Sequence, residues 1–184
     1  MTQHPTPLPT RPLGSTQVTA ISLGCMNLSH AYDVTPPEEE AVKLLNHALD
    51  LGVTHLDSAA LYGGGNSERL LNKAVGHRRK DFHLASKCVL DQVDGVRILD
   101  GRPETITASL ERSLQRLGTD FIDLYYMHRL DKNVPIEESM GAMVRAKEAG
   151  KIGAIGLSEM SAETLRRAHA VHPVAAVQSE YSPW

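Results

Sequence analysis

The sequence has little of several features that mark particular classes of protein. It contains two cysteines, Cys25 and Cys88, far apart in the chain, which argues against a disulfide scaffold and favours a reducing, cytoplasmic location. No apolar run approaches the roughly 20 residues that a transmembrane helix needs, so no membrane span is predicted. The 19 basic and 22 acidic residues leave a net charge of −3. We therefore expect no nucleic acid and no membrane surface as partner.

Further absences limit the kinds of site that the chain can carry. The nine histidines show no HExxH or comparable spacing, so we expect no metal. The run Gly63-Gly64-Gly65 lies between a predicted strand and a predicted helix, but it is not the GxGxxG pattern of a Rossmann cofactor site. The N-terminal segment has prolines and threonines but lacks the apolar core of a signal peptide. We interpret residues 1–12 as a flexible leader and residues 13–184 as one domain.

Short apolar runs rich in Val, Ile and Leu alternate with longer stretches of helical periodicity. This alternation favours a parallel sheet in an α/β domain, either a barrel or a doubly wound sheet. The predicted strands are Ala20–Cys25, Val53–Ser58, Phe82–Cys88, Phe121–His128, Ile152–Ser158 and Ala175–Tyr181. The predicted helices are Pro37–Leu51, Ser67–Gly76, Arg102–Leu117, Pro135–Ala149 and Ser161–Val171.

Four polar side chains stand at or just after predicted strand ends, where a βα barrel carries its chemistry. They are Asp57, Tyr62, Lys87 and His128. Hydride delivery to a carbonyl leaves an alkoxide that must be protonated, and a phenol next to an ammonium is a suitable donor. We predict Tyr62 as the proton donor, Lys87 as the group that stabilises its phenolate, and Asp57 as the anchor of Lys87. His128 would orient the carbonyl and share its developing charge.

Each of these four residues also has an ordinary structural interpretation. Asp57 alone is typical of a turn, and Tyr62 beside three glycines is typical of a loop aromatic. Lys87 could be a strand-end cation that extends to solvent, and His128 a hydrogen-bonded structural histidine. Only the joint placement of the four at strand ends supports a catalytic interpretation.

The segment HLDSAALYG, from His55 to Gly63, resembles the Asp-Thr/Ser-Ala…Tyr-Gly signature of the aldo-keto reductase superfamily. Later segments resemble further motifs of the family, in the same order: ASK ending at Lys87, YMHR around His128, GLS ending at Ser158 and QSEYS from Gln178. Glu159 stands where relatives frequently carry Asn. Ser158 could instead cap a helix, although Ser161 is better placed for that role.

This resemblance implies NAD(P)H-dependent reduction of aldehydes or ketones to alcohols, with a small-molecule carbonyl compound as substrate. NADPH is the cofactor it implies, with NADH also possible. The implied catalytic residues are the four already named. The implied cofactor contacts are Gly24, Cys25, Met26, Asp57, Ser158, Glu159 and Gln178.

The resemblance also implies the (β/α)8 TIM-barrel fold, which takes about 250 residues. This chain has 184 residues and its sixth predicted strand ends at Tyr181. We therefore expect a C-terminally truncated barrel with about the first six β/α units, lacking the last two strands and their helices. The region that grips the adenosine phosphate in the family would lie in the missing part.

Three alternatives remain open at this stage. The chain could be a non-catalytic, cofactor-sensing or scaffold subunit on the same fold, or an inactive truncated fragment. It could also be a metal-dependent barrel enzyme that uses Asp57 and His128. That third alternative needs further acids or histidines at strand ends, and Ser58, Cys88 and Ser158 occupy those positions.

Overall fold

The computed structural model of the protein describes residues 7–29, 34–93 and 95–182. These residues form a curved parallel sheet, helices packed on its outer face, and two antiparallel hairpins. The strands are β1 (Thr10–Leu13), β2 (Thr16–Thr19), β3 (Leu23–Gly24), β4 (His55–Asp57), β5 (His83–Cys88), β6 (Leu90–Val93), β7 (Val96–Leu99), β8 (Ile122–Met127), β9 (Ile152–Ser158) and β10 (Ala176–Gln178). The α-helices are α1 (Glu38–Asp50), α2 (Asn66–Val75), α3 (Pro103–Leu117), α4 (Ile136–Glu148) and α5 (Ala162–Val171).

The order of strands in the parallel sheet separates a barrel from a doubly wound sheet. The sheet has six strands in the order β3-β4-β5-β8-β9-β10, so each strand lies beside the next one in the chain. A doubly wound sheet would reverse direction at a switch point, and this order contains no reversal. The chain therefore winds in a single direction, as in a barrel.

A hydrogen bond across the sheet shows how strongly it curves. The amide Nε2 of Gln178, on β10, donates to Oδ2 of Asp57, on β4, over 3.2 Å. Three strands lie between β10 and β4. In a flat sheet with a spacing of about 4.8 Å, these two strands would be roughly 19 Å apart. The sheet is therefore a half-barrel with a concave inner face, in agreement with the predicted partial (β/α)8 fold.

The helices begin and end at residues whose chemistry favours a boundary. Helix α1 follows Pro37 and carries three glutamates in its first turn, where they interact favourably with the helix dipole. Helix α3 has Pro103 in its first turn and stops at Gly118, which has a φ of 62°, a conformation that glycine adopts without strain. At α5, Oγ of Ser161 accepts a hydrogen bond from the amide of Thr164. Ser161 is thus the cap, as predicted, and Ser158 is not needed for that role.

Two apolar layers hold the half-barrel together. The larger one lies between the outer face of the sheet and the helices, and its fully buried side chains include Leu45, Leu56 and Leu110. Burial of each such leucine contributes roughly 1.5–3 kcal/mol. A smaller cluster on the concave face contains Ala85, Leu124 and Tyr126, with Leu13, Ala154 and Ala176 packed against it. Since Leu13 belongs to the β1–β2 hairpin, this hairpin covers the N-terminal end of the sheet.

All six predicted strands and all five predicted helices are present, with ends shifted by at most three residues. The N-terminal prediction is wrong in part, because residues 10–12 lie in β1 and pair with β2. Residues 1–6 of the predicted leader lie outside the described residues. The short Gly14-Ser15 connection, with a φ of 59° at Gly14, is typical of a two-residue hairpin loop. Within the described ranges, no helix is long and apolar enough to cross a membrane.

Candidate active site

The pleat of the parallel strands brings the predicted site residues to the concave face. Successive residues of a strand point to opposite faces of the sheet, and the inner cluster contains Ala85, Leu124 and Ala176. Lys87 and Gln178 follow two residues after Ala85 and Ala176, and therefore share that face. His128, just after β8, comes four residues after Leu124, and Ser158, at the end of β9, comes four residues after Ala154. These even spacings place both side chains on the same face. All these side chains consequently gather at the C-terminal end of the half-barrel.

Tyr62 reaches the same place from the loop between β4 and α2. Its ring packs in a small cluster with Ala59 and Leu61, and its backbone carbonyl accepts a hydrogen bond from the amide of Ser67 over 3.2 Å. The loop then turns through three glycines that all have positive φ values. A Cβ at Gly63 would lie 2.6 Å from the carbonyl oxygen of Ser29, so glycine is required there. The loop therefore fixes the position of the Tyr62 ring over the strand ends.

Lys87 is the centre of the polar contacts at the site. Its side chain is 0% exposed and forms an ion pair with Asp57. Its Nζ also donates to the carbonyl oxygen of Ser58 over 2.8 Å and lies 3.2 Å from the hydroxyl oxygen of Tyr62. A buried ammonium is tolerated only when it is paired and hydrogen-bonded, and these contacts meet that condition. The arrangement places a positive charge directly beside the phenol.

The ring of His128 packs against the ring of Tyr62. The two rings meet edge to face, with centroids 5.8 Å apart. Burial lowers the pKa of His128 to about 3, and the positive charges of Lys87, Arg129 and Arg97 act in the same direction. The imidazole is therefore neutral near pH 7 and can donate one N–H without acting as a strong acid. Nδ1 of His128 is buried and has no hydrogen-bond partner among the described residues.

Ser158, Glu159 and Gln178 form the opposite wall of the site. Gln178 donates to Asp57, and Oγ of Ser158 accepts from Nη1 of Arg129 over 3.3 Å. Glu159 has a φ of 54°, a left-handed conformation that Asn adopts more readily than Glu. Its carboxylate accepts a hydrogen bond from the amide of Glu180 over 2.6 Å, which offsets part of that cost. These side chains are already hydrogen-bonded within the protein.

Three cofactor contacts were predicted at the end of β3, and the structure places only one of them in the lining of the cleft. Met26 lines the cleft beside Tyr62. Gly24 pairs with Asp57 in the sheet, and the Cys25 amide donates to the carbonyl oxygen of Asp57 over 2.8 Å. Burial, reinforced by the charge of Asp57, raises the pKa of the Cys25 thiol to about 12. Gly24 and Cys25 thus lie beside the backbone of Asp57 and are not among the residues that line the cleft.

The site opens into a cleft of about 570 Å³. Its lining includes residues that the sequence did not single out, above all Arg97 on the hairpin β6–β7 and Arg129 directly after His128. The hairpin itself was missed, although Val93-Asp94-Gly95-Val96 carries the Asp-Gly pair typical of a two-residue hairpin turn. The complete lining is Met26, Leu61, Tyr62, Leu90, Arg97, His128, Arg129, Ser158, Glu159, Gln178, Ser179 and Glu180.

A second buried ion pair supports the site from the helix side of the sheet. Glu68 is fully buried on α2 and accepts a hydrogen bond from Nε of Arg116, on α3, over 2.6 Å. It also accepts from Oγ of Ser86 over 2.6 Å. Ser86 precedes Lys87 on β5, so this contact links both helices to the strand that carries the ammonium. An acid in the first turn of α2 was the only sign of this ion pair in the sequence.

Comparison with known proteins identifies the family of the chain. The profile of the Aldo/keto reductase family matches residues 20–184. The chain is 48% identical over 183 residues to the aldo-keto reductase yakc of Schizosaccharomyces pombe, whose name specifies NADP(+). The aligned part is 96% of this chain and 53% of the yeast protein. The chain therefore spans about half the length of this curated relative.

Solved structures give the same result for the fold. An aldo-keto reductase of Bacillus halodurans, solved in its holo form, superposes with a TM-score of 0.86 at 30% identity, over 95% of this chain and 58% of that one. The glycerol dehydrogenase of Gluconobacter oxydans superposes with a TM-score of 0.82 at 30% identity, over 92% of this chain and 54% of that one. On the evidence of the profile match and of these shared folds, the chain belongs to the aldo/keto reductase family.

Proposed function

We propose that the protein reduces an aldehyde or a ketone to an alcohol with NADPH, and that Tyr62 donates the proton. The observation that carries the proposal is the 3.2 Å contact between Nζ of the buried Lys87 and the hydroxyl oxygen of Tyr62. Lys87 is held by Asp57 and by the carbonyl oxygen of Ser58. An ammonium in this position stabilises the phenolate that remains after proton transfer. The proton of Tyr62 is therefore the one that can leave most easily toward a substrate oxygen.

His128 has a complementary role in this proposal. Because its pKa is lowered to about 3, it does not compete with Tyr62 as an acid at neutral pH. Its neutral ring, set at 85° to the ring of Tyr62, can donate a hydrogen bond to the carbonyl oxygen. That hydrogen bond would orient the carbonyl and stabilise the negative charge that develops on its oxygen.

The wall formed by Ser158 and Gln178 suits a nicotinamide. A carboxamide needs both a donor and an acceptor, and a serine hydroxyl together with a glutamine amide offers both. Both side chains line the cleft that contains Tyr62 and His128. A bound nicotinamide cofactor would supply the hydride. We propose NADPH rather than NADH because the name of the yeast relative specifies NADP(+).

Two further points belong to the same proposal. The chemistry is assigned to Tyr62, Lys87, Asp57 and His128, on the contacts given above. A cytoplasmic location is proposed on the two free, buried cysteines, Cys25 and Cys88, which are typical of a reducing compartment.

The test compares the wild-type chain with Tyr62→Phe. NADPH binding is followed by nucleotide fluorescence, and reduction of benzaldehyde by the loss of NADPH absorbance. A positioned general acid typically contributes about 10²–10⁴-fold, so we expect kcat to fall by about 10³-fold while the Kd for NADPH changes less than about twofold. Tyr125→Phe is the matched control, because Tyr125 lies on the outer face of the sheet within the helix-facing core.

Three outcomes would contradict the proposal. Turnover retained by Tyr62→Phe would exclude Tyr62 as the proton donor. Equal losses in Tyr62→Phe and Tyr125→Phe would indicate a general effect on folding. NADPH binding without any turnover by the wild-type chain would favour a non-catalytic, cofactor-sensing protein.

A further inference from the structure

The hairpin β6–β7 presents one of its faces to the cleft. Leu90 pairs with Leu99, and Gln92 pairs with Arg97. Directly opposed residues share a face of a hairpin, and so do residues two apart. Leu90, Gln92 and Arg97 are therefore on one face. Leu90 packs against the cluster that contains Tyr62, and Arg97 lines the cleft beside it.

The opposite face anchors the hairpin to the barrel. Asp91 is 9% exposed, and its Oδ2 accepts a hydrogen bond from Nη2 of Arg112, on α3, over 3.2 Å. The base of the hairpin is closed by the amide of Asp100, which donates to the carbonyl oxygen of Val89 over 2.9 Å. These contacts hold β7 in place. The fold therefore holds the backbone of Arg97 beside the cleft.

The charged side chains that line the cleft differ in whether they already form hydrogen bonds or ion pairs within the protein. Arg129 donates to the carbonyl oxygen of His128 over 2.6 Å and to Oγ of Ser158. Glu159 accepts from the amide of Glu180. Arg97 takes part in none of the ion pairs found within the described ranges. Arg97 lines the same cleft as Tyr62 and His128, so its positive charge is available to a molecule bound there.

From this placement we propose that Arg97 determines substrate specificity, and that the carbonyl substrate carries an anionic group, a carboxylate or a phosphate, which Arg97 binds. This proposal rests on the proposed function and deepens it. A guanidinium presents a planar set of donors that matches both kinds of anion. The apolar side chains of Leu61 and Leu90 line the same cleft and would contact the carbon skeleton of the substrate. Tyr62 and His128 would meet its carbonyl end.

The test uses aromatic aldehydes that differ mainly in charge. The substrates are 4-carboxybenzaldehyde, 4-formylphenyl phosphate and the neutral 4-nitrobenzaldehyde. We expect Arg97→Gln to raise KM for the anionic aldehydes by about tenfold, and Arg97→Glu by more, while KM for the neutral aldehyde stays within about twofold. The anionic aldehyde whose KM rises more in Arg97→Gln identifies the substrate class, either a carboxylate or a phosphate. Arg11→Gln is the control, since Arg11 lies on the β1–β2 hairpin at the other end of the sheet.

A binding measurement makes the result independent of turnover. The same comparison is made by ligand-observed NMR with 4-carboxybenzyl alcohol, 4-hydroxymethylphenyl phosphate and benzyl alcohol. A preference of the wild-type chain for the anionic ligands that is lost in Arg97→Gln supports the proposal. No preference, or no binding by any of the three ligands, overturns it.

Two further results separate the possible failures. Wild-type turnover of the neutral aldehyde, with no effect of Arg97→Gln on selectivity, would overturn the role of Arg97 and leave the proposed function intact. A loss of NADPH affinity in Arg97→Gln, with unchanged selectivity between aldehydes, would assign Arg97 to the cofactor instead. Absence of turnover with every aldehyde would count against the proposed function itself.

Discussion

The two ends of the parallel sheet both bury polar side chains, but they use them differently. At the C-terminal end, Lys87 and Asp57 are charged and lie directly beneath an open cleft. At the N-terminal end, His55 and His83 lie against each other, with their Nδ1 atoms 3.3 Å apart. Nδ1 of His55 is also 3.1 Å from the carbonyl oxygen of His83. At one end the buried polar groups adjoin an open cleft, and at the other end they lie beneath the cover of the fold.

The β1–β2 hairpin accounts for much of this difference. The amide of Thr19 donates to Oγ1 of Thr54 over 2.9 Å, and the amide of Thr54 donates to Oγ1 of Thr19 over 3.1 Å. This reciprocal pair fastens the hairpin to the start of β4, and Leu13 fills the space inside the strands. No such cover lies over Tyr62 and His128 in the part of the chain that the structure describes. Of the two ends, only the C-terminal one therefore combines buried polar side chains with an open cleft.

The largest effect is expected from removing the charge at the C-terminal end. Lys87→Met leaves the carboxylate of Asp57 without its partner, and breaking a buried ion pair typically costs about 3–5 kcal/mol. We expect a loss of unfolding free energy of this size in urea titrations, and turnover reduced by about 10³-fold.

The double variant Lys87→Met/Asp57→Leu separates the effect of this ion pair on stability from its effect on turnover. With both charges removed, most of the lost stability should return, because no unpaired charge remains buried. Turnover should stay at the level of Lys87→Met. Recovery of activity together with stability would show that these charges serve the fold and not the chemistry.

A smaller effect is expected at the N-terminal end. His83→Asn removes the contact between the two imidazoles, and the loss of one buried hydrogen bond costs about 1 kcal/mol. Urea titration should show that loss, while KM and kcat for benzaldehyde should change less than about twofold. A change in kcat as large as that of Lys87→Met would remove the distinction between the two ends.

A further effect concerns the dependence of stability on pH. Burial lowers the pKa of His55 and of His83, and also that of His128. Below the ordinary histidine pKa of about 6.5, the unfolded chain binds protons at these positions that the folded chain does not bind. The unfolding free energy should therefore fall as the pH drops below about 6.5.

The measurement is a series of urea titrations between pH 7.5 and pH 5. The double variant His55→Asn/His83→Asn should show a shallower decline than the wild-type chain, because His128 alone then contributes among these three. A decline of unchanged slope would place the source of the pH dependence elsewhere in the protein.

The sequence predicted the regular parts of this structure well, for an identifiable reason. Strands such as Ile152–Ser158 and helices such as Pro103–Leu117 combine strong periodicity with clear boundary residues, so local information determines their extents. The four polar side chains were placed together because parallel strands bring their C-terminal ends to one edge. The ion pair of Glu68 with Arg116 could not be predicted in the same way, since its partners lie 48 residues apart on different helices.

Both hairpins were missed for a different reason. Their strands are only four residues long, and β1 and β7 are mostly exposed, so they lack the apolar runs by which the other strands were identified. The sequence does contain signals for a hairpin turn between these strands, Gly14-Ser15 in the first case and the pair Asp94-Gly95 in the second. As a result Arg97, which lies on the second hairpin, was not considered as a site residue. The Asp-Gly pair predicts the hairpin that carries Arg97, whereas its position at the cleft follows only from the structure.

The hydrogen bond between Gln178 and Asp57 has a consequence for the order in which the protein folds. It joins residues 121 positions apart, whereas the contact of Lys87 with Asp57 joins residues 30 apart. The entropy cost of closing a loop grows by about 0.6 kcal/mol for each doubling of its length, so the longer contact costs roughly 1.2 kcal/mol more. Contacts of such long sequence separation are slow to form. We therefore expect the ammonium and its carboxylate to meet early, and the two walls of the cleft to come together among the last events of folding.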